Sequence, residues 1–97
     1  MAEIRWTEEA LRWLEDIYEY ISTDNTSAAS RIIQGIRERT RDVLGFPEIG
    51  YRYTQSARHI RILLYGHYRI AYLINDDGSI DVLGIFHSAL DITRYQL

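Results

Sequence analysis

The chain has 97 residues, 46% of them apolar and 26% charged, with a formal net charge of −3; this suits one globular domain over 1–97 that can bury a core without staples. The absence of cysteine excludes disulfides and thiolate metal sites. No apolar run approaches the ~20 residues of a membrane span, and the polar stretch from Met1 to Trp6 is no signal peptide, so the expected location is the cytoplasm, with no membrane partner.

Glu3 to Trp6 reads as a short first strand. Thr7 is suited to cap a helix whose first turn holds Glu8 and Glu9, acids that complement the positive end of its dipole. Ala10, Leu14, Ile17 and Ile21 then recur at helical spacing, with Leu11 and Tyr18 widening the stripe. This helix is expected to stop near Ser22 or Thr23. Asn25 caps a second helix, whose apolar stripe runs through Ala28, Ala29, Ile32, Ile33, Ile36, Thr40, Val43 and Leu44. Gly45 and Pro47 end it. The short turn between the two makes an antiparallel helical hairpin.

Phe46-Pro47-Glu48-Ile49-Gly50 reads as a loop, and residues 51–57 look irregular. From Arg58 the period becomes two, and Arg58–Leu64 is a strand. A three-residue loop, Tyr65-Gly66-His67, leads into the strand Tyr68–Ile74. This predicts Leu64 opposite Tyr68, Ile62 opposite Ile70 and Ile60 opposite Tyr72, with Arg61, Leu63, Arg69 and Ala71 together on the other face. Asp77-Gly78 signals a type I′ turn into a last strand, Ile80–His87, apolar on both faces and so central. The expected fold is α+β, in the order β-α-α-β-β-β. The helical hairpin covers one face of a small, mainly antiparallel sheet and leaves Arg61 and Arg69 on the open one.

Charge is segregated along the chain. Residues 1–24 hold seven acids and two arginines, whereas 51–75 hold four arginines, two histidines and no acid. Every basic residue is an arginine, a side chain suited to bidentate contacts with carboxylate or phosphate. Arg69 interrupts an aromatic and aliphatic strand. It either pairs with Asp81 or a C-terminal group, or contacts an anionic ligand. Arg58 and Arg61 read as solvated edge charges or as further anion contacts. His87, at a strand end, either acts as a general acid or base or bonds locally. His59 and His67 are expected to face solvent. The histidines lack metal-ligand spacing, so neither a metal nor a cofactor is expected. Trp6 and Trp13 read as core or interface anchors; Tyr18, Tyr20, Tyr51 and Tyr53 read as packing or partner surface. A paired-arginine face beside His87 could cleave RNA, with arginines holding the developing phosphorane charge.

The opening Trp6-Thr7-Glu8-Glu9-Ala10-Leu11, with Leu14, Asp16-Ile17 and Tyr20-Ile21, resembles the ParE branch of the RelE/ParE superfamily of bacterial type II toxins. So do the Phe46–Gly50 loop, the Tyr68-Arg69-Ile70-Ala71-Tyr72 strand, and His87 followed by Ala89 and Asp91. The likeness covers nearly the whole chain in order. It implies a toxin that arrests growth, as in plasmid stabilisation, until bound by a small antitoxin in a hetero-oligomer. ParE-like members inhibit DNA gyrase and catalyse nothing themselves. RelE-like members cut mRNA on the ribosome; under that alternative Arg61, Arg69 and His87 would carry catalysis. The lysines of the RelE-like site have no counterpart here. Under either reading Arg58, Arg61, Arg69, His87 and Arg94 are expected to meet antitoxin or target, with acidic antitoxin residues on the 51–75 region. A non-toxic binding module is a third reading.

Overall fold

A computed structural model describes residues 3–90, 92–95 and 97. Its elements are β1 (Ile4–Trp6), α1 (Glu8–Ser22), α2 (Thr26–Gly45), β2 (Tyr51–Arg52), β3 (Ile60–Tyr65), β4 (Tyr68–Ile74) and β5 (Ile80–His87), followed by one 3₁₀ turn at Ile92–Arg94. The strands form a single sheet in the order β1-β5-β4-β3-β2. β1 runs parallel to β5, and the other pairings are antiparallel. The α+β architecture and the central place of β5 agree with expectation; β2, in the stretch that looked irregular, is an added two-residue edge strand.

Both helix starts follow from their caps. The Thr7 hydroxyl accepts from the Ala10 N–H at 3.1 Å and donates to the Val82 carbonyl at 2.8 Å, so it starts α1 and ties it to β5. Asn25 Oδ1 accepts from the Ala28 N–H at 3.0 Å. Ala10 and Leu14 of α1, with Ile36 and Val43 of α2, pack on Leu63, Ile70, Tyr72, Ile80, Val82 and Ile85 of the sheet. Leu11 and Tyr18, expected to widen the first stripe, and Leu44, expected at the end of the second, are exposed.

The β3–β4 register differs from expectation. Tyr65 pairs with Tyr68, Leu64 with Arg69, Leu63 with Ile70, Ile62 with Ala71 and Arg61 with Tyr72. The loop is therefore two residues, Gly66-His67. Gly66 takes φ +55° and no described non-glycine residue has positive φ, the pattern of a II′ turn with glycine first. The shift of one residue exchanges the faces of β3. Alternation failed to fix the register because both faces of this strand are buried. Leu63 goes under the helices, while Ile60 and Ile62 go under a second cluster.

That second cluster also corrects the expected open face. Tyr53, Phe86, Ala71, Ile60, Ile62 and Ile92 are buried together, with Tyr95 and Leu97 packed against them. The C-terminal segment thus straps the face that the helices leave. Trp13 joins the two layers, its ring 4.8 Å from Phe86 and 5.5 Å from Tyr95, both edge-on.

The β4–β5 turn is corrected as well. Gly78 has φ +86° whereas Asp77 does not have positive φ, which excludes type I′. The Gly78 N–H bonds the Asn75 carbonyl, and Asn75 N–H bonds Ser79, as in a three-residue loop whose last position is left-handed. Further along, Leu83 is skipped between the Tyr72–Val82 and Ala71–Gly84 pairs, which places a bulge in β5.

Candidate functional site

The register decides where the arginines point. Arg61 lies on the same face of β3 as Leu63, and Arg69 lies on the opposite face of β4, paired with Leu64 and Phe86. The expected Arg61–Arg69 pair on one face is therefore not formed.

Arg61 reaches the Phe46–Gly50 loop. Its Nη1 donates to the Gly50 carbonyl at 2.6 Å and the Glu48 carbonyl at 3.3 Å, and Nη2 lies 3.9 Å from Glu48 Oε1. Tyr72 is its cross-strand neighbour. The Tyr72 hydroxyl donates to the Pro47 carbonyl at 2.6 Å and accepts from the Gly50 N–H at 3.0 Å. Burial pushes this phenol above its ordinary pKa, against the opposing pull of Gly50 and Arg61. The loop is thus pinned by an arginine and a tyrosine projecting from the sheet. The one sequence signal for Tyr72 in this role is a phenol placed on the core face of its strand.

Arg69 Nη2 donates to the Leu90 carbonyl at 2.5 Å and to the Ser88 carbonyl at 3.5 Å. It therefore takes a C-terminal group, one of the two structural partners foreseen for it. The other, Asp81, binds Arg5 at 3.0 Å across the β1–β5 pair. Arg58 and Arg94 are exposed. Arg58 borders clefts shared with Tyr95 and Leu97.

His87 pairs with Tyr68 and so faces the helix side at the end of β5. Its Nδ1 accepts from the Ala89 N–H at 3.1 Å. The Tyr68 ring meets it edge-on at 5.6 Å, and His67 stacks at 6.1 Å. Asp91, part of the C-terminal motif, lies outside the described residues. His67 is exposed as expected, but His59 is half-buried with Nε2 out of solvent and unpartnered.

Arg61, Arg69 and His87 do not share one face of the sheet. Arg69 is on the strap side; Arg61 and His87 share the helix side. Their cross-strand partners, Tyr72 and Tyr68, are four residues apart on β4, about 13 Å at the usual strand rise. The arginine donors are directed at backbone carbonyls. Two of the surface's concave regions are lined mainly by apolar and aromatic side chains. One, about 620 Å³, is lined by Phe46, Pro47, Ile49, His59 and Ile74. The other, about 540 Å³, lies between α1 and the end of β5, among Asp16, Ile17, Tyr20, Tyr68, His87 and Leu90. Sequence signals for both existed: apolar Phe46 and Ile49 in a loop, and Tyr20 in a polar last turn.

A two-helix hairpin on a five-stranded sheet, with clefts at its edges and its strand arginines holding loops, defines a small α+β protein. The family model for the ParE toxin of the type II toxin-antitoxin system, parDE, matches residues 4–92, and the chain belongs to that family. Among solved structures it is similar to the chromosomal ParDE toxin-antitoxin system of P. aeruginosa, with a TM-score of 0.75 at 20% identity, covering 90% of this chain and 96% of that one. It is also similar to the RelBE2 toxin-antitoxin complex of Mycobacterium tuberculosis, with a TM-score of 0.67 at 22% identity, covering 87% of each chain. No curated protein is similar enough to match it in sequence. Among the described residues no helix is long and apolar enough to cross a membrane.

Proposed function

We propose that this protein is a growth-arresting toxin that inhibits DNA gyrase in the cytoplasm and is neutralised by a ParD-like antitoxin. The separation of Arg61, Arg69 and His87 onto two faces carries this reading. Acyl or phosphoryl chemistry needs its acid, base and charge-stabilising groups within hydrogen-bond reach of one reacting centre. A binding toxin needs only surface. The acidic antitoxin segment lies along the 51–75 region, its apolar side chains entering the cleft of Phe46, Ile49 and Ile74. Purified toxin should block supercoiling by gyrase and leave cleaved DNA behind; arrested cells with intact chromosomes would refute it.

The resemblance of the strand and histidine motifs to the RelE/ParE superfamily supports a second reading, ribosome-dependent cleavage of mRNA. In that case transcripts from arrested cells carry new ends in the ribosomal A site, and Arg69→Ala folds but no longer cuts.

A further inference from the structure

The cleft between α1 and the end of β5 is lined by one acid, Asp16, and one histidine, His87, on the flank of a helix rich in carboxylates. α1 carries Glu8, Glu9, Glu15, Asp16 and Glu19 against the single cation Arg12. Among the described residues, no ion pair engages any of these carboxylates. The last turn of α1 has no basic residue; neutral donors cap its Glu19 and Ile21 carbonyls, and no side-chain cation within the turn offsets the negative end of the dipole. That end is where the cleft opens, at Ile17 and Tyr20.

The cleft walls are apolar and aromatic. Tyr20 is 84% exposed, although it is a large ring beside the partly buried Tyr68. Burial, and then proximity to Tyr20, push the Tyr68 phenol above its ordinary value, so it stays neutral as a hydrogen-bond donor. Leu90 forms the far wall, and Arg69 holds the Leu90 carbonyl from the other side of the sheet. The wall is thus fixed by the strand arginine.

We propose that this cleft docks a basic, apolar peptide segment of a protein partner: an arginine beside an aliphatic or aromatic side chain. The apolar group enters between Ile17, Tyr68 and Leu90. The guanidinium lies over the exposed Tyr20 ring, where a planar cation is attracted to the aromatic face, and meets the Asp16 and Glu19 carboxylates. Phosphate is repelled here, so nucleic acid is not the occupant. An acidic segment is repelled for the same reason, which makes this surface distinct from the one proposed for the antitoxin. The proposal does not depend on gyrase being the target.

The test titrates the ¹⁵N-labelled full chain with two blocked peptides of identical leucine and glycine content, one carrying arginines and the other glutamates. The arginine peptide should shift the amides of Tyr20, Tyr68 and Ser88–Leu90, and the glutamate peptide should not. Joint reversal of Asp16→Arg and Glu19→Arg, both at the surface, should weaken the arginine peptide about tenfold; Tyr20→Ala should weaken it while keeping the charge. An unchanged dispersed spectrum for each variant certifies its fold. Equal binding of both peptides, shifts outside the cleft, the same shifts with a short DNA duplex, or self-association through these residues without peptide would each overturn it.

Discussion

Tyr72 shows how a single side chain couples sheet to loop. Its hydroxyl serves one donor and one acceptor of the Pro47–Gly50 segment. Tyr72→Phe leaves a buried N–H and a carbonyl without that partner, a loss of about 1–3 kcal/mol, read as a lowered urea midpoint. The raised folded pKa fixes the sign of the pH dependence. The stability it contributes is full below the ordinary tyrosine value of ~10 and is lost as pH rises through the higher folded value. Alkaline destabilisation should therefore be shallower in Tyr72→Phe. Arg69 has a different duty, holding the Ser88 and Leu90 carbonyls. Being half-exposed, it contributes only about 1 kcal/mol. Arg69→Ala should remain folded but exchange its 88–90 amides faster, which hydrogen-exchange mass spectrometry would detect.

At the level of elements, caps and turns set the boundaries. Thr7→Ala and Asn25→Ala each remove a helix cap worth about 1 kcal/mol. Thr7→Ala should be the more damaging of the two in thermal melts, because its hydroxyl also binds the Val82 carbonyl. The β4–β5 turn adds an acid-side dependence. Asp77 Oδ1 accepts from the Ser79 N–H at 2.9 Å and its hydroxyl at 2.6 Å, and these bonds hold the carboxyl below its ordinary pKa. The stabilisation is present above the ordinary carboxylate range and fades as pH falls through the depressed value. Urea midpoints measured down the acid limb should fall less steeply for Asp77→Ala than for the parent.

At the scale of the whole molecule, the sheet is a shared floor with a helical roof on one side and a C-terminal strap on the other. Ile92 is the buried residue of the strap, 6% exposed, beside Tyr53, Ile60 and Phe86. Ile92→Ala should cost about 2–5 kcal/mol, as large-to-small changes in a packed layer do, and a calorimetric scan would show it. If the chain acts by binding gyrase, the Arg61→Ala and His87→Ala variants should still inhibit supercoiling wherever their surfaces remain intact. Loss of inhibition together with a retained antitoxin complex would instead place those residues in the target contact.

Sequence alone determined the helical hairpin, its caps, the order of elements and the central β5, because these depend on local chemistry: a hydroxyl before a periodic stripe, a glycine where the chain must turn, a strand apolar on both sides. The motifs around Phe46–Gly50, Tyr68–Tyr72 and His87 also pointed to the RelE/ParE superfamily, to which the match over residues 4–92 agrees. Tertiary structure decided the β3–β4 register and, with it, the fate of Arg61 and Arg69. A strand buried on both faces has no polar side to mark its phase, so one residue of slip was invisible until the helices claimed Leu63 and the strap claimed Ile62. The same holds for the strap itself, since Ile92, Tyr95 and Leu97 become a layer only where a second sheet face exists to receive them.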